Sequence, residues 1–131
     1  MPKRKGMSPT QLSLRWIRGL GFKAQVVEHW VPAIKIRRDL FGCIDILAVG
    51  HGLTVGIQST SSPNLAARIT KMHENEFLGT LVESDWILVA QGWKKPKSRW
   101  EGRQFRILPG TQEELCQTDI QHPSWRLPAR L

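Results

Sequence analysis

The chain has 131 residues, 40% of them hydrophobic, which suits a single folded core and excludes wholesale disorder. No apolar run approaches the ~20 residues that cross a bilayer, so no membrane segment is expected. Two cysteines, Cys43 and Cys116, supply neither a disulfide framework nor a cysteine-rich zinc site.

The formal net charge of +8 is unevenly spread. Residues 1–38 carry nine Lys/Arg and one acid, Glu28; residues 39–93 carry two, Arg68 and Lys71, against six acids; residues 94–106 carry six with one acid, Glu101. Two basic segments around an acidic middle point to a polyanion, and so to nucleic acid. Solvated surface charge explains the excess but not its distribution.

In chain order, the basic opening Met1-Pro2-Lys3-Arg4-Lys5-Gly6 leads into a helix rather than an apolar signal core. A cytoplasmic protein with reduced thiols is expected. Ser8 caps the first helix and Pro9 fits its first position, where a missing N–H costs nothing. Leu12, Trp16 and Leu20 form its apolar stripe with Ile17 beside it, Gln11, Arg15 and Arg18 lie opposite, and Gly19 and Gly21 end it. A strand over 24–31 stops at Pro32. Two more, centred on 44–49 and 53–57, are joined by Gly50-His51-Gly52 as a hairpin. Ser62 and Pro63 open a second helix running to about Leu81, with Leu65, Ile69 and Met72 inward. A buried strand over 86–90, a basic loop over 91–103, a strand over 104–108 and weak helical character in 112–117 complete the chain. The order α-β-β-β-α-β-β predicts an α/β fold with a mixed central sheet flanked by helices. One domain is expected over 1–131, with an arm over 1–7, a core over 8–108 and a tail over 109–131.

Asp45 interrupts the run Cys43-Ile44-Asp45-Ile46-Leu47, and a carboxylate in a half-buried strand is costly unless paired or bound to a cation. The next run, Leu53 to Ile57, ends in Gln58-Ser59-Thr60. With a side-chain period of two, Gln58 and Thr60 share one face, and a hairpin sets Asp45 beside Gln58. Converging oxygens beside basic segments suit Mg²⁺ or Mn²⁺. The bland alternatives are a strand-end carboxylate capping a loop N–H and ordinary polar residues on a solvated face.

At Gly42-Cys43-Ile44-Asp45 and Gln58-Ser59-Thr60 the chain resembles the PD-(D/E)XK nuclease superfamily, particularly its small Holliday-junction-resolvase-like members. That pattern sets an Asp on a glycine-led strand and, after a hairpin, an acid, any residue and a lysine. Gln58 and Thr60 depart from it, and the early helix lacks the acid that the family's helix contributes. Glu28 is the best substitute, with Asp39 second. The resemblance implies a restriction-endonuclease-like fold and a metal-dependent DNA nuclease. Asp45, Gln58 and the carbonyl of Ser59 would hold the metal, assisted by Glu28. Thr60 would orient water, and Lys71 or Arg68 would bind the transition-state phosphate. Phosphate contacts are expected from Lys3, Arg4, Lys5, Arg15, Arg18, Arg37, Arg38, Arg68, Lys94, Lys95, Lys97, Arg99 and Arg103, giving affinity with little base readout. The partner would be duplex or branched DNA, to which a homodimer would be suited. Trp93 and Trp100 would stack on unpaired bases or else fasten their hairpin to the core. The departures leave two alternatives: a nuclease-fold DNA-binding protein weakened in catalysis, and an RNA-binding module.

Overall fold

A computed structural model of the chain describes residues 6–116. Helix α1 (Pro9–Gly19) begins where its cap was expected. Ser8 Oγ accepts from the Gln11 N–H at 3.2 Å, and Gln11 Oε1 accepts from the Ser8 N–H at 3.1 Å, so two orphan donors are satisfied reciprocally. The buried stripe, however, is Leu12, Ser13 and Ile17, with Trp16 and Leu20 at its rim. Ser13 is drawn inward by hydrogen bonds that a hydrophobic pattern does not register.

The chain continues through β1 (Lys23–Val26), β2 (His29–Val31), β3 (Ile36–Arg38), β4 (Ile46–Gly50) and β5 (Leu53–Ser61). A 3₁₀ turn (Ser62–Asn64) then leads to α2 (Leu65–Glu74), α3 (Leu78–Glu83), β6 (Trp86–Lys94), β7 (Glu101–Leu108) and β8 (Thr111–Leu115). Six strands form one sheet in the order β1-β4-β5-β6-β7-β8, and β2 pairs with β3 separately. Among the described residues only β5 and β6 pair in parallel; α2 and α3 lie on the connection between them. The α/β class and the mixed sheet flanked by helices are therefore as expected. Among the described residues no helix is long and apolar enough to cross a membrane.

Four local expectations are corrected. The single strand over 24–31 is two: β1 pairs with β4 in the main sheet and ends at Val26, while β2 leaves it to pair with β3. The second helix starts at Leu65 rather than Ser62, and it breaks at Asn75. There the side chain serves other backbone: Nδ2 donates to Phe41 O at 3.0 Å and Oδ1 accepts from Phe77 N–H at 2.7 Å. Most of the basic loop over 91–103 belongs to the β6–β7 hairpin, which leaves 95–100 as its turn. Residues 111–115 are a strand, not a helix, because the edge of β7 offers them backbone partners from Leu108↔Thr111 to Gln104↔Leu115.

The sheet is covered on both faces, which explains the near-continuous apolar runs of β5 and β6. Toward α1 lie Ile17, Phe22, Ile46, Val55, Ile57 and Val89. Toward α2 and α3 lie Ile44, Leu65, Met72, Leu78, Leu88 and Ile107. Gly56 lets Ile44 cross β5 closely: a Cβ there would stand 2.7 Å from Ile44 Cδ1. That approach draws the segment carrying Asp45 against β5.

Candidate active site at the end of the sheet

Beyond Ile46 the β4–β5 ladder gives way to side-chain chemistry. The Asp45 N–H donates to Ile57 O at 2.9 Å, and the Asp45 carbonyl accepts from the Val27 N–H at 2.9 Å. The next outward-facing donor on β5, the Ser59 N–H, meets no backbone and donates instead to Asp45 Oδ2 at 3.1 Å. A residue's N–H and C=O point to the same side of a strand, so the Ser59 carbonyl faces the same way. Asp45 is 3% exposed, and its Oδ1 is buried with no hydrogen-bond partner. Capping the Ser59 N–H thus accounts for one carboxylate oxygen and leaves the other unexplained.

Gln58 completes the corner. With its amide nitrogen donating to Cys43 O (3.0 Å) and Asp39 Oδ2 (3.1 Å), its oxygen faces Asp45 Oδ2 at 3.3 Å. The opposite orientation makes one long bond, from the nitrogen to Asp45 Oδ2, and turns the oxygen onto two acceptors. The first satisfies more neighbours and is the one we adopt. Two oxygens at this spacing repel unless a proton or a cation lies between them.

Burial pushes the Asp45 carboxyl up from 3.8 to about 7. The Ser59 N–H opposes that rise, the charges of Asp39 and Glu28 add to it, and Arg68 opposes it. All four residues line the same cleft of about 320 Å³, together with Gln58, Thr60 and the first turn of α1 at Pro9 and Thr10. Glu28 sits past the end of β1 and holds a 3.4 Å ion pair with Arg37. Of the two cations on α2, Arg68 lines this cleft; Lys71 lines only an adjoining groove of about 540 Å³ that also holds Arg37, Arg38 and Arg68.

The other expected contacts are scattered. Lys94, Lys95, Lys97 and Arg99 are exposed on the β6–β7 hairpin, which leaves the sheet beside the cleft because Ser61 pairs with Trp93. Arg103 is occupied by Glu114, with bonds of 2.8 and 2.9 Å. Arg15 and Arg18 line neither cavity; Arg18 donates to Ala24 O and latches α1 to β1. Lys3, Arg4 and Lys5 lie outside the described residues.

Sequence reasoning missed a buried polar chain beneath the site. Ser13 Oγ meets Ser59 Oγ at 2.7 Å, Gln91 Oε1 at 2.6 Å and Trp93 Nε1 at 2.9 Å. Gln91 Nε2 donates to Gln104 Oε1, and Gln104 Nε2 to Leu115 O. The only signal was a glutamine after each apolar run, Gln58 and Gln91, and nothing linked them to Ser13.

The cleft's donors are all oxygens: the orphaned Asp45 Oδ1, the Gln58 amide and the Ser59 carbonyl. In a six-coordinate shell with bonds of about 2.1 Å, adjacent ligand oxygens stand roughly 3 Å apart; the Gln58 oxygen lies 3.3 Å from Oδ2, the other oxygen of the Asp45 carboxylate. Such a set fits a hard cation, Mg²⁺ or Mn²⁺, held weakly because one carboxylate supplies the adjacent charge. Among the described residues no three His, Cys, Asp or Glu side chains converge to hold an ion. Glu28 and Asp39 therefore share the cleft without completing a cage.

Gln58→Glu is expected to lower the metal concentration for half-maximal effect about tenfold, and Gln58→Ala to raise it by a similar factor. Without metal, Gln58→Glu should melt lower than wild type, since it adds a carboxylate beside Asp39 and Asp45. Thermal melting across an Mg²⁺ and Mn²⁺ titration checks both. Identical metal dependence in all three proteins would remove Gln58 from the site. Compared with protein-family models, with curated proteins and with solved structures, the chain gives no match.

Proposed function

We propose that the protein is a metal-dependent DNA nuclease that hydrolyses phosphodiester bonds, with branched or otherwise structured DNA as its substrate. The observation that carries this reading is the buried, unpartnered Asp45 Oδ1, in a cleft that Gln58, Ser59 and Thr60 also line and that adjoins a groove holding Arg37, Arg38, Arg68 and Lys71. The antiparallel β1, β4 and β5 between α1 and α2, and the parallel β6 that follows the helices, agree in outline with the order that the resemblance to restriction-endonuclease-like enzymes implies, with the β2–β3 pair and α3 as additions to it.

Asp45, Gln58 and the Ser59 carbonyl would hold the cation, with Glu28 across the cleft. When bound, such a cation polarises a phosphate and lowers the pKa of water. The chain's own residues do the rest. Arg68 stands where cleft and groove meet and pairs with the oxygens of the scissile phosphate, the role a lysine at position 60 would have filled. Thr60 offers a hydroxyl that orients water, and Lys71, Arg37 and Arg38 bind flanking phosphates along the groove.

A second reading, a nuclease-fold protein that binds DNA without cutting it, is favoured by the single carboxylate at the corner and by threonine at position 60. Nicking of supercoiled plasmid in Mg²⁺ or Mn²⁺, with branched and single-stranded DNA alongside, separates the two. Metal-dependent cleavage abolished by a chelator is expected. Tight, salt-sensitive binding without cleavage would give the second reading, and absence of DNA binding would overturn both. A preference for RNA in parallel assays would move the protein to another class.

If the hairpin binds phosphates, log affinity falls linearly with log salt concentration. A Lys94→Ala/Lys95→Ala/Lys97→Ala variant should then flatten that slope by about two to three units. An unchanged slope would show that the DNA lies elsewhere.

A further inference from the structure

At the same sheet end, on the α1 face, Trp16, Trp93 and Trp100 enclose a pocket of about 160 Å³ with Gly102 and Gln104. It is smaller than the ~300 Å³ at which sites for drug-sized ligands begin, and so has room for one flat ring system. Two of its walls are fixed. Trp93 Nε1 donates to the buried Ser13 Oγ, and its ring lies against Gly102, where a Cβ would come within 2.8 Å of it. Trp93 thus fastens the hairpin, one of the two roles open to it from sequence. Trp100 differs: it is 37% exposed, and Lys95 Nζ stands 5.4 Å from its ring centre. Gln104, which also lines the pocket, uses one amide N–H and one oxygen lone pair in its bonds to Leu115 and Gln91, leaving one of each to meet a polar edge.

Aromatic faces on a hairpin that also exposes Lys94, Lys95, Lys97 and Arg99 suit a ligand that is flat and aromatic in one part and anionic in another. We infer that this pocket receives one unpaired base of a single-stranded nucleic-acid segment, the hairpin lysines holding its backbone. The inference rests on the nucleic-acid reading above and names the feature of the substrate that the cleft alone does not. Trp93 pairs in register with Ser61, and Ser13 bonds Ser59, so the pocket lies beside the strand end that carries the cleft. A strand lying in the cleft therefore passes it. Duplex has no unpaired base to offer, whereas a flap or splayed end does.

The test compares a short oligothymidylate, the same backbone with abasic sites, and a duplex of matched length, using the full chain without metal across one salt series. Wild type should bind the oligothymidylate with quenching of tryptophan fluorescence. Trp100→Ala should weaken that binding about 5- to 150-fold. Its duplex affinity and its salt slopes should stay unchanged, since no charge is removed. Trp100→Phe should recover most of the loss. Abasic DNA should bind wild type as weakly as oligothymidylate binds Trp100→Ala. Gly102→Ala, which displaces Trp93, should copy the Trp100→Ala defect. Equal loss on duplex and single strand, or no loss on either, would overturn the base pocket while leaving the nuclease reading standing. Failure of wild type to bind any of the three would overturn both.

Discussion

Asp45→Asn is expected to reduce metal-dependent cleavage by at least about a hundredfold while leaving DNA affinity unchanged or higher. Asparagine keeps an oxygen to accept the Ser59 N–H, so the strand end holds its shape, but the charge that would hold a cation is gone. Affinity should not suffer, because the charge removed is negative and would face phosphates. The same substitution has a second signature. Burial raises the Asp45 carboxyl from 3.8 to about 7, so the folded state holds this proton more tightly than the unfolded chain does. The linked stability is complete below the unfolded value and is lost as pH rises through about 7. A rise of roughly three pH units corresponds to on the order of 4 kcal/mol. Urea unfolding between pH 4 and 8 should show that decline in wild type, and Asp45→Asn should flatten it. Mg²⁺ or Mn²⁺ should restore stability to wild type above pH 7 and not to the variant. Full cleavage by Asp45→Asn, or a pH profile unaltered by it, would remove Asp45 from the proposed role.

Ser13→Ala should be the most destabilising single-oxygen deletion among the described residues, costing roughly 3–5 kcal/mol. A serine hydroxyl has one donor and two acceptor sites. Here it donates to Gln91 Oε1 and accepts from Ser59 Oγ and Trp93 Nε1, so all three are used. Alanine leaves three groups unpaired in and around a core where Ser13 and Gln91 are fully buried. The slightly better helix propensity of alanine offsets only a few tenths of a kcal/mol. A fall in melting temperature on the order of 10 °C is expected. Because the chain runs through Ser59 to Asp45, weaker metal binding should accompany it. A variant that melts with wild type would mean that water satisfies these groups.

Much of the frame was legible in the residues themselves. Ser8 and Pro9 start α1 because capping is local chemistry, with both partners within one turn of each other. The apolar runs of β4, β5 and β6 announced buried strands, and His51 and Gly52 between two of them announced a hairpin. Asp45 and Gln58 stood out because each breaks such a run, and the hairpin register that brings them together is nearly forced by a connection so short.

What the sequence left open was decided by groups far away along the chain. Thr111–Leu115 is a strand because β7 presents an open edge, and a five-residue segment has too little helix propensity to resist it. Asn75 breaks a helix because Phe41, 34 residues earlier, offers it a carbonyl. Ser13 turns inward only because Ser59, Gln91 and Trp93 meet there, and no pattern in α1 records that meeting. Arg68 and not Lys71 faces Asp45 because the docking of α2 on the sheet sets which side chain reaches the cleft. Local hydrogen-bonding and periodicity are written into neighbouring residues. The partners of a buried polar group are chosen by packing, and only the tertiary structure brings them together.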